Sequence, residues 1–159
     1  MARTTRATAA LKAAGKPFEL LEYDYDPDAP SIGLQAAAAL GLPPALVFKT
    51  LMTMVGDRVC VALLPSDREL SLKALAAVAG GKSAALLSVD AAERISGYHV
   101  GGISPFGQKK RLRSFVDSSA QTLPFMVVNG GQRGLQIKLA PTDLIAALAA
   151  TPAAIAAAP

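Results

Sequence analysis

The chain has one cysteine, Cys60, and one histidine, His99, among its 159 residues. One cysteine excludes a disulfide framework and a cysteine-based zinc site within a single chain. One histidine excludes a multi-histidine metal centre, and any Ser-His-Asp assembly would have to be built around His99 alone. No uninterrupted apolar run reaches the ~18 residues of a membrane span; Pro43-Pro44 splits the middle candidate and Asp143 interrupts the alanine-rich tail. Neither a phosphate-binding P-loop nor a dinucleotide fingerprint occurs at the required spacing. The start, MARTTRATAALKAAGK, bears Arg3, Arg6, Lys12 and Lys16 without the continuous hydrophobic centre of a secretory signal. Gly15 as a helix stop, with Phe18 soon after, fits a folded first helix better than an organellar transit peptide. The expectation is one domain, residues 1–159, in a reducing cytoplasm, with no membrane segment, metal or cofactor. A chain of this length buries roughly 70% of the surface its unfolded form exposes, enough for a core without staples.

What is present is unevenly distributed. The net charge of +4 permits an anionic partner without identifying one. Acidic residues gather in FELLEYDYDPD, as Glu19, Glu22, Asp24, Asp26 and Asp28, whereas Lys109, Lys110, Arg111 and Arg113 form a basic block. Such a block is either a solvated loop or a contact to a phosphate backbone.

Periodicity and punctuation predict the elements. Residues 4–14 read as an amphipathic helix ended by Gly15, FELLEY as a strand stopped by Asp26-Pro27 and Ala29-Pro30, and IGLQAAAAL as a helix between Ser31 and Gly41. LVFKTLMTMV and RVCVALLP flank Gly56-Asp57 as a hairpin of central strands. SLKALAAVAGG predicts a helix capped by Ser71 and closed by Gly80-Gly81. Another starts at Asp90, with Glu93 completing a capping box, and stops near Gly97. RSFVD, FMVVN and LQIKL read as strands, the last two joined by the turn GGQRG; Leu135, Ile137 and Leu139 share one face, Gln136 and Lys138 the other. Pro141 opens a last helix through TDLIAALAA, and Thr151-Pro152 begins a further turn. The fold class is a compact α/β domain around a curved, mostly antiparallel mixed sheet.

Few residues can carry chemistry. Lys49 sits inside VFKTLMTMV on the pleat side of Leu51, Thr53 and Val55. An unpaired buried ammonium is costly, so either its stem crosses apolar surface to a charged rim or its charge faces an anion in a pocket. VGGISPFGQKK raises a second question: what approaches the main chain so closely that Gly101 and Gly102 lack side chains? Successive amides of such a loop can hold an anion or a developing oxyanion, yet glycine-proline loops are also ordinary turns. Gly130, Gly131 and Gly134 with Arg133 make a second glycine-rich turn that a hairpin alone explains. His99 reads as packed or exposed rather than catalytic. Cys60, in VCVALL, reads as an inert small hydrophobe, and Met52 and Met54 as core filling. Tyr23 either packs its ring or walls a small pocket.

Together FKTL, GYHVGGISPFGQKKRL at 97–112 and VNGGQRGLQIKLAPTDL at 128–144 resemble the YbaK/EbsC family of free-standing aminoacyl-tRNA deacylases, in the superfamily of prolyl-tRNA synthetase editing domains. The similarity runs from about Phe18 to Leu148, and GGISPFGQKKRL sits closer to the cysteine-clearing YbaK branch than to the alanine-clearing domains. The resemblance implies a barrel-like sheet flanked by helices and a cleft for the aminoacylated 3′ end of tRNA, above all tRNA(Pro). It places Lys49 at the family's essential lysine and Thr50 after it. It puts Tyr23 in the pocket and Gly101 and Pro105 at the ends of a GxxxP loop enclosing Gly102, Ile103 and Ser104. Asn129 and Gln136 stand where a relative has serine and aspartate. Lys49 and Gly101 would be catalytic, the other residues of this set substrate-binding, and Lys109 and Lys110 would supply general tRNA affinity. In the family mechanism the cysteinyl thiol attacks its own ester carbonyl, so the enzyme needs no nucleophile or metal and supplies positioning and electrostatics. The resemblance also implies a possible synthetase partner; a monomer is expected. The competing readings are a deacylase for alanine or another small amino acid, a tRNA-binding adaptor without catalysis, and a general nucleic-acid binder.

Overall fold

The structure, a computed structural model, describes residues 4–158; Arg3 lies outside them. The order is α1 (Arg6–Ala13), β1 (Glu19–Glu22), α2 (Ile32–Leu40), β2 (Phe48–Val55), β3 (Arg58–Pro65), α3 (Leu72–Ala79), β4 (Ala84–Leu86), α4 (Val89–Ser96), β5 (Arg113–Asp117), β6 (Met126–Asn129), β7 (Leu135–Leu139), α5 (Pro141–Leu148) and β8 (Thr151–Ala153). Short 3-10 turns, Pro44–Leu46 and Ser118–Thr122, precede β2 and follow β5.

The helices begin and end where local chemistry satisfies their loose amides and carbonyls. Ser31 Oγ accepts from Leu34 N, and Ser71 Oγ accepts from Ala74 N. Gly41 and Gly80 close these two helices in the left-handed region, which costs glycine little. The α4 start differs from the expected one at Asp90. Ser88 Oγ accepts from Ala91 N, which begins the helix at Val89. Glu93 is therefore not a capping-box partner; its carboxylate accepts from Val100 N at 2.8 Å and faces His99 Nδ1 at 3.5 Å. The other new elements are short edge strands. β4 pairs with the end of β2, and β8 runs parallel to β5 where a turn was expected. Pro152 is tolerated there because an edge strand need not donate from both sides.

The strands form two sheets with orders β1-β7-β6 and β4-β2-β3-β5-β8, joined by a parallel bridge between Val47 and Val127. Pairing is antiparallel except for β3 with β5 and β5 with β8. Among the described residues the architecture is thus a compact α/β fold of two sheets and five helices, with mostly antiparallel pairing.

The main core joins both sheets to α1, α4 and α5 through Leu11, Phe48, Met52, Leu63, Met126, Ile137 and Leu144. A second cluster packs Leu75 of α3 on Cys60, Ala62 and Phe115; a third packs Ala36 and Ala37 of α2 on Val47 and Val127. Cys60 is buried, and burial raises its thiol pKa, as expected of an inert core thiol. One feature of β2 positions the site. β3 pairs along its whole length, but β4 covers only Thr53 to Val55 on the other edge. The stretch Phe48 to Leu51 therefore meets the second sheet across an open edge.

Candidate active site

A hollow of about 320 Å³ occupies that open edge. Its walls come from the start of α2 (Ser31, Ile32, Gly33), from β2, from the segment joining β4 to α4, from the glycine loop, and from Asn129 and Gln136 of β6 and β7. Its size falls within the range of small-ligand sites. Among the described residues Lys49 is the only charged side chain in the lining; the rest is apolar apart from hydroxyls, Asn129, Gln136 and main chain.

Lys49 and Gly101 line this same hollow, as do Thr50, Ile103, Asn129 and Gln136. At an open edge both pleat faces of a strand can reach the space, so Lys49 and its neighbour Thr50 contribute together. Burial lowers the Lys49 pKa, and the carboxylates of Glu69 and Asp67 oppose that shift. Among the described residues the Thr50 hydroxyl is buried without a hydrogen-bond partner. Buried polar atoms rarely stay unpaired unless a ligand or solvent meets them.

Six of the sequence-selected residues lie outside the lining: Tyr23, Gly102, Ser104, Pro105, Lys109 and Lys110. Tyr23 packs in the α2 cluster with its hydroxyl buried and unpaired. The Gly102 amide donates to His99 O at 2.8 Å and so serves the turn itself. Ser104 Oγ accepts from Phe106 N, while Pro105 helps line a separate hollow on the far side of the loop. Lys109 and Lys110 are exposed and away from this hollow.

The two missing side chains are explained by the chain's own packing. A β-carbon on Gly102 would stand 2.9 Å from Arg133 N and 3.0 Å from Gln132 C, and one on Gly101, whose φ is +95°, would stand 2.7 Å from the Tyr25 hydroxyl. The second glycine-rich turn thus presses on the back of the first. Asn129 fastens the pair: its Nδ2 donates to Gly101 O at 2.9 Å and its Oδ1 accepts from Gly131 N at 2.7 Å. Arg133 Nε adds a bond to Val100 O at 2.9 Å. Gly102 is thus committed to the turn, while Gly101 and Ile103 line the hollow. Asn129 supports the loop in addition to lining the hollow.

The sequence carried no sign of the α2 wall or of Leu87, Val89 and Ala92 opposite it. Their residue types are those of any core. The close Gly33 approach to Ser66, where a β-carbon would lie 2.6 Å from Ser66 Cβ, sets that wall's distance from β2.

The description "Aminoacyl-tRNA editing domain" matches residues 26–147 of the chain. The chain belongs to the aminoacyl-tRNA editing domain family. Among its relatives is an Enterococcus faecalis protein named "Putative Cys-tRNA(Pro)/Cys-tRNA(Cys) deacylase EbsC", 36% identical over 81% of this chain and 79% of that one. A proline–tRNA ligase of Brachyspira hyodysenteriae is 28% identical over 52% of this chain but only 14% of its own length. A solved structure described as "a putative trans-editing enzyme for prolyl tRNA synthetase" superposes with a TM-score of 0.84, covering 99% of this chain and 100% of that one at 20% identity. That likeness concerns the fold alone.

For an editing domain the hollow is chemically sparse. Its hydroxyls have no carboxylate or imidazole beside them in the lining to act as a base, since His99 is 85% exposed and paired with Glu93. What it offers is one positive charge, a few amides and tight apolar walls.

Proposed function

We propose that the protein is a trans-editing deacylase that frees cysteine from mischarged tRNA(Pro). The observation carrying this reading is that Lys49 and the Gly101 main chain bound one small hollow whose lining, among the described residues, holds no carboxylate, imidazole or thiol. In the proposed reaction the cysteinyl thiol attacks its own ester carbonyl. A carbon–sulfur bond forms, the ester carbon–oxygen bond breaks, and the proton lost by sulfur ends on the tRNA 3′ oxygen. The amino acid leaves as a cyclic thioester that water later opens.

In this mechanism Lys49 attracts the terminal ester or adjacent phosphate, and the amides of Gly101 and Ile103 meet the carbonyl oxygen as it gains charge. Thr50 and Gln136 orient the aminoacyl group. Walls that exclude bulky side chains discriminate by size only weakly, about 1–3 kcal/mol per methylene. The demand for a thiol adds selection by reactivity. Identity of the tRNA would come from a synthetase partner, and the relation to a proline–tRNA ligase supports that choice.

The test is release from Cys-, Ser- and Ala-tRNA(Pro) measured side by side. Cysteine should leave at least tenfold faster than either competitor. Equal or faster release of alanine would replace the thiol mechanism with attack by water or a tRNA hydroxyl, and a protein that binds tRNA while cleaving none would be an adaptor.

A further inference from the structure

A third hollow, about 840 Å³, lies toward the opposite end of β2 from Lys49. The Gly56-Asp57 turn, the end of α3 and Ile95 of α4 form its body, and Arg58, Lys110, Arg111 and Arg113 supply four cations against one acid, Asp57. Among the described residues Arg58, Lys110 and Arg111 have no ion-pair partner. Arg113 is held in place: its Nη1 donates to Ala79 O at 3.0 Å and its guanidinium lies 4.9 Å from the Phe115 ring centre. Lys109 is turned elsewhere, its Nζ 3.4 Å from Arg94 O. Unneutralised cations around an open groove suit a chain of phosphates better than one small anion.

The groove and the Lys49 hollow share two walls. Val89 and Ala92 of α4 line the hollow and Ile95 lines the groove. At 1.5 Å per residue, Val89 to Ile95 spans about 9 Å. Met52 of β2 lines the hollow and Val55 the groove, which at 3.3 Å per residue is about 10 Å. The two spaces are thus neighbours, one small and nearly uncharged, the other wide and basic. A single ligand with a small reactive tip and a polyanionic body matches both.

We infer that this groove holds the phosphate backbone of the acceptor arm whose aminoacylated 3′ end enters the Lys49 hollow. The identity of the ligand rests on the function proposed above. Arg58, Lys110 and Arg111 make the phosphate contacts, with Arg113 fixing the groove floor. Lys109 takes no part.

The test compares the double variant Arg58→Glu/Arg111→Glu with a control of equal charge change, Lys12→Glu/Lys73→Glu, on exposed helix positions. Binding of uncharged tRNA is followed across salt concentrations, and deacylation is measured on full-length Cys-tRNA(Pro) and on 3′-O-cysteinyladenosine, which carries no phosphate for the groove to hold. The groove variant should weaken tRNA binding tenfold or more and reduce the log–log salt slope by about two, one per lost phosphate contact. Its turnover of cysteinyladenosine should stay within twofold of wild type. Unchanged affinity and slope, an equal loss in the control, or an equal fall on cysteinyladenosine would overturn the assignment. If wild type cleaves neither substrate, the deacylase reading fails by itself and the binding arm still decides the groove.

Discussion

Two buried polar sites in this molecule are built in opposite ways. Asp117, 7% exposed at the end of β5, accepts from Ile155 N at 3.1 Å and Ala156 N at 3.0 Å through Oδ1, and from Ser119 N at 3.2 Å through Oδ2. Burial pushes its carboxyl pKa up, but the hydrogen bonds from Ser119, Ala156 and Ile155 together outweigh that, and the net shift is downward. In the Lys49 hollow the Thr50 hydroxyl has no partner and the ammonium is partly stripped of water. The first site satisfies its groups internally and fastens the segment that follows the C-terminal strand. The second leaves its groups open, as expected of a place completed by a ligand. Stability should therefore reside in the first and turnover in the second.

The largest expected separation comes from Lys49→Ala. Turnover of Cys-tRNA(Pro) should fall by on the order of a hundredfold or more, as when one electrostatic contact to a developing charge is removed. The urea midpoint should stay equal or rise, because a desolvated charge is gone. In wild type, turnover that needs charged Lys49 should decline at a pH below the ordinary lysine value, in the direction burial dictates.

Asp117→Ala should reverse that pattern. Three amides lose their acceptor, a cost of about 3 kcal/mol in urea denaturation, while turnover of the folded fraction is unchanged. The acid side gives a second check. Because the folded carboxyl lies below its unfolded value, its stabilisation is complete above the unfolded value of about 4 and is lost as pH falls through the folded value. Wild type should accordingly lose more stability than Asp117→Asn between pH 5 and pH 2.

Gly102→Ala falls between the two, since its β-carbon meets the rigid main chain of Gln132 and Arg133 rather than a movable side chain. It should cost about 1–3 kcal/mol as overpacking and also slow turnover by displacing Gly101. The smallest structural effect belongs to Thr50→Val. Removing an unpaired buried hydroxyl should leave stability within about 1 kcal/mol of wild type or raise it, yet slow release severalfold. A stability loss without a rate loss would make Thr50 part of the scaffold.

Local signals in the chain were readable because each rests on neighbouring residues. Ser31, Gly41, Ser71 and Gly80 cap the helices as anticipated, and Gly56-Asp57 turns the hairpin. The Asp90–Glu93 pattern misled because Ser88, two residues earlier, offers an equally good cap and Glu93 has a stronger use at Val100. β4 and β8 were missed since strands of three residues carry almost no periodicity. Lys49 stood out as a charge in an apolar strand, and the glycine pair by its spacing. That the pair yields to the second glycine turn, rather than to substrate alone, is a long-range contact between residues 102 and 133 that no local pattern records. The α2 wall of the hollow was illegible for the same reason.

The claim that the substrate supplies its own nucleophile is tested most directly with S-methylcysteinyl-tRNA(Pro), which keeps the sulfur but cannot form the thiolate. Its ability to compete with Cys-tRNA(Pro) for the protein should persist. Its release in single turnover should drop to the level of alanyl-tRNA(Pro). Release as fast as that of the cysteinyl ester would contradict the account.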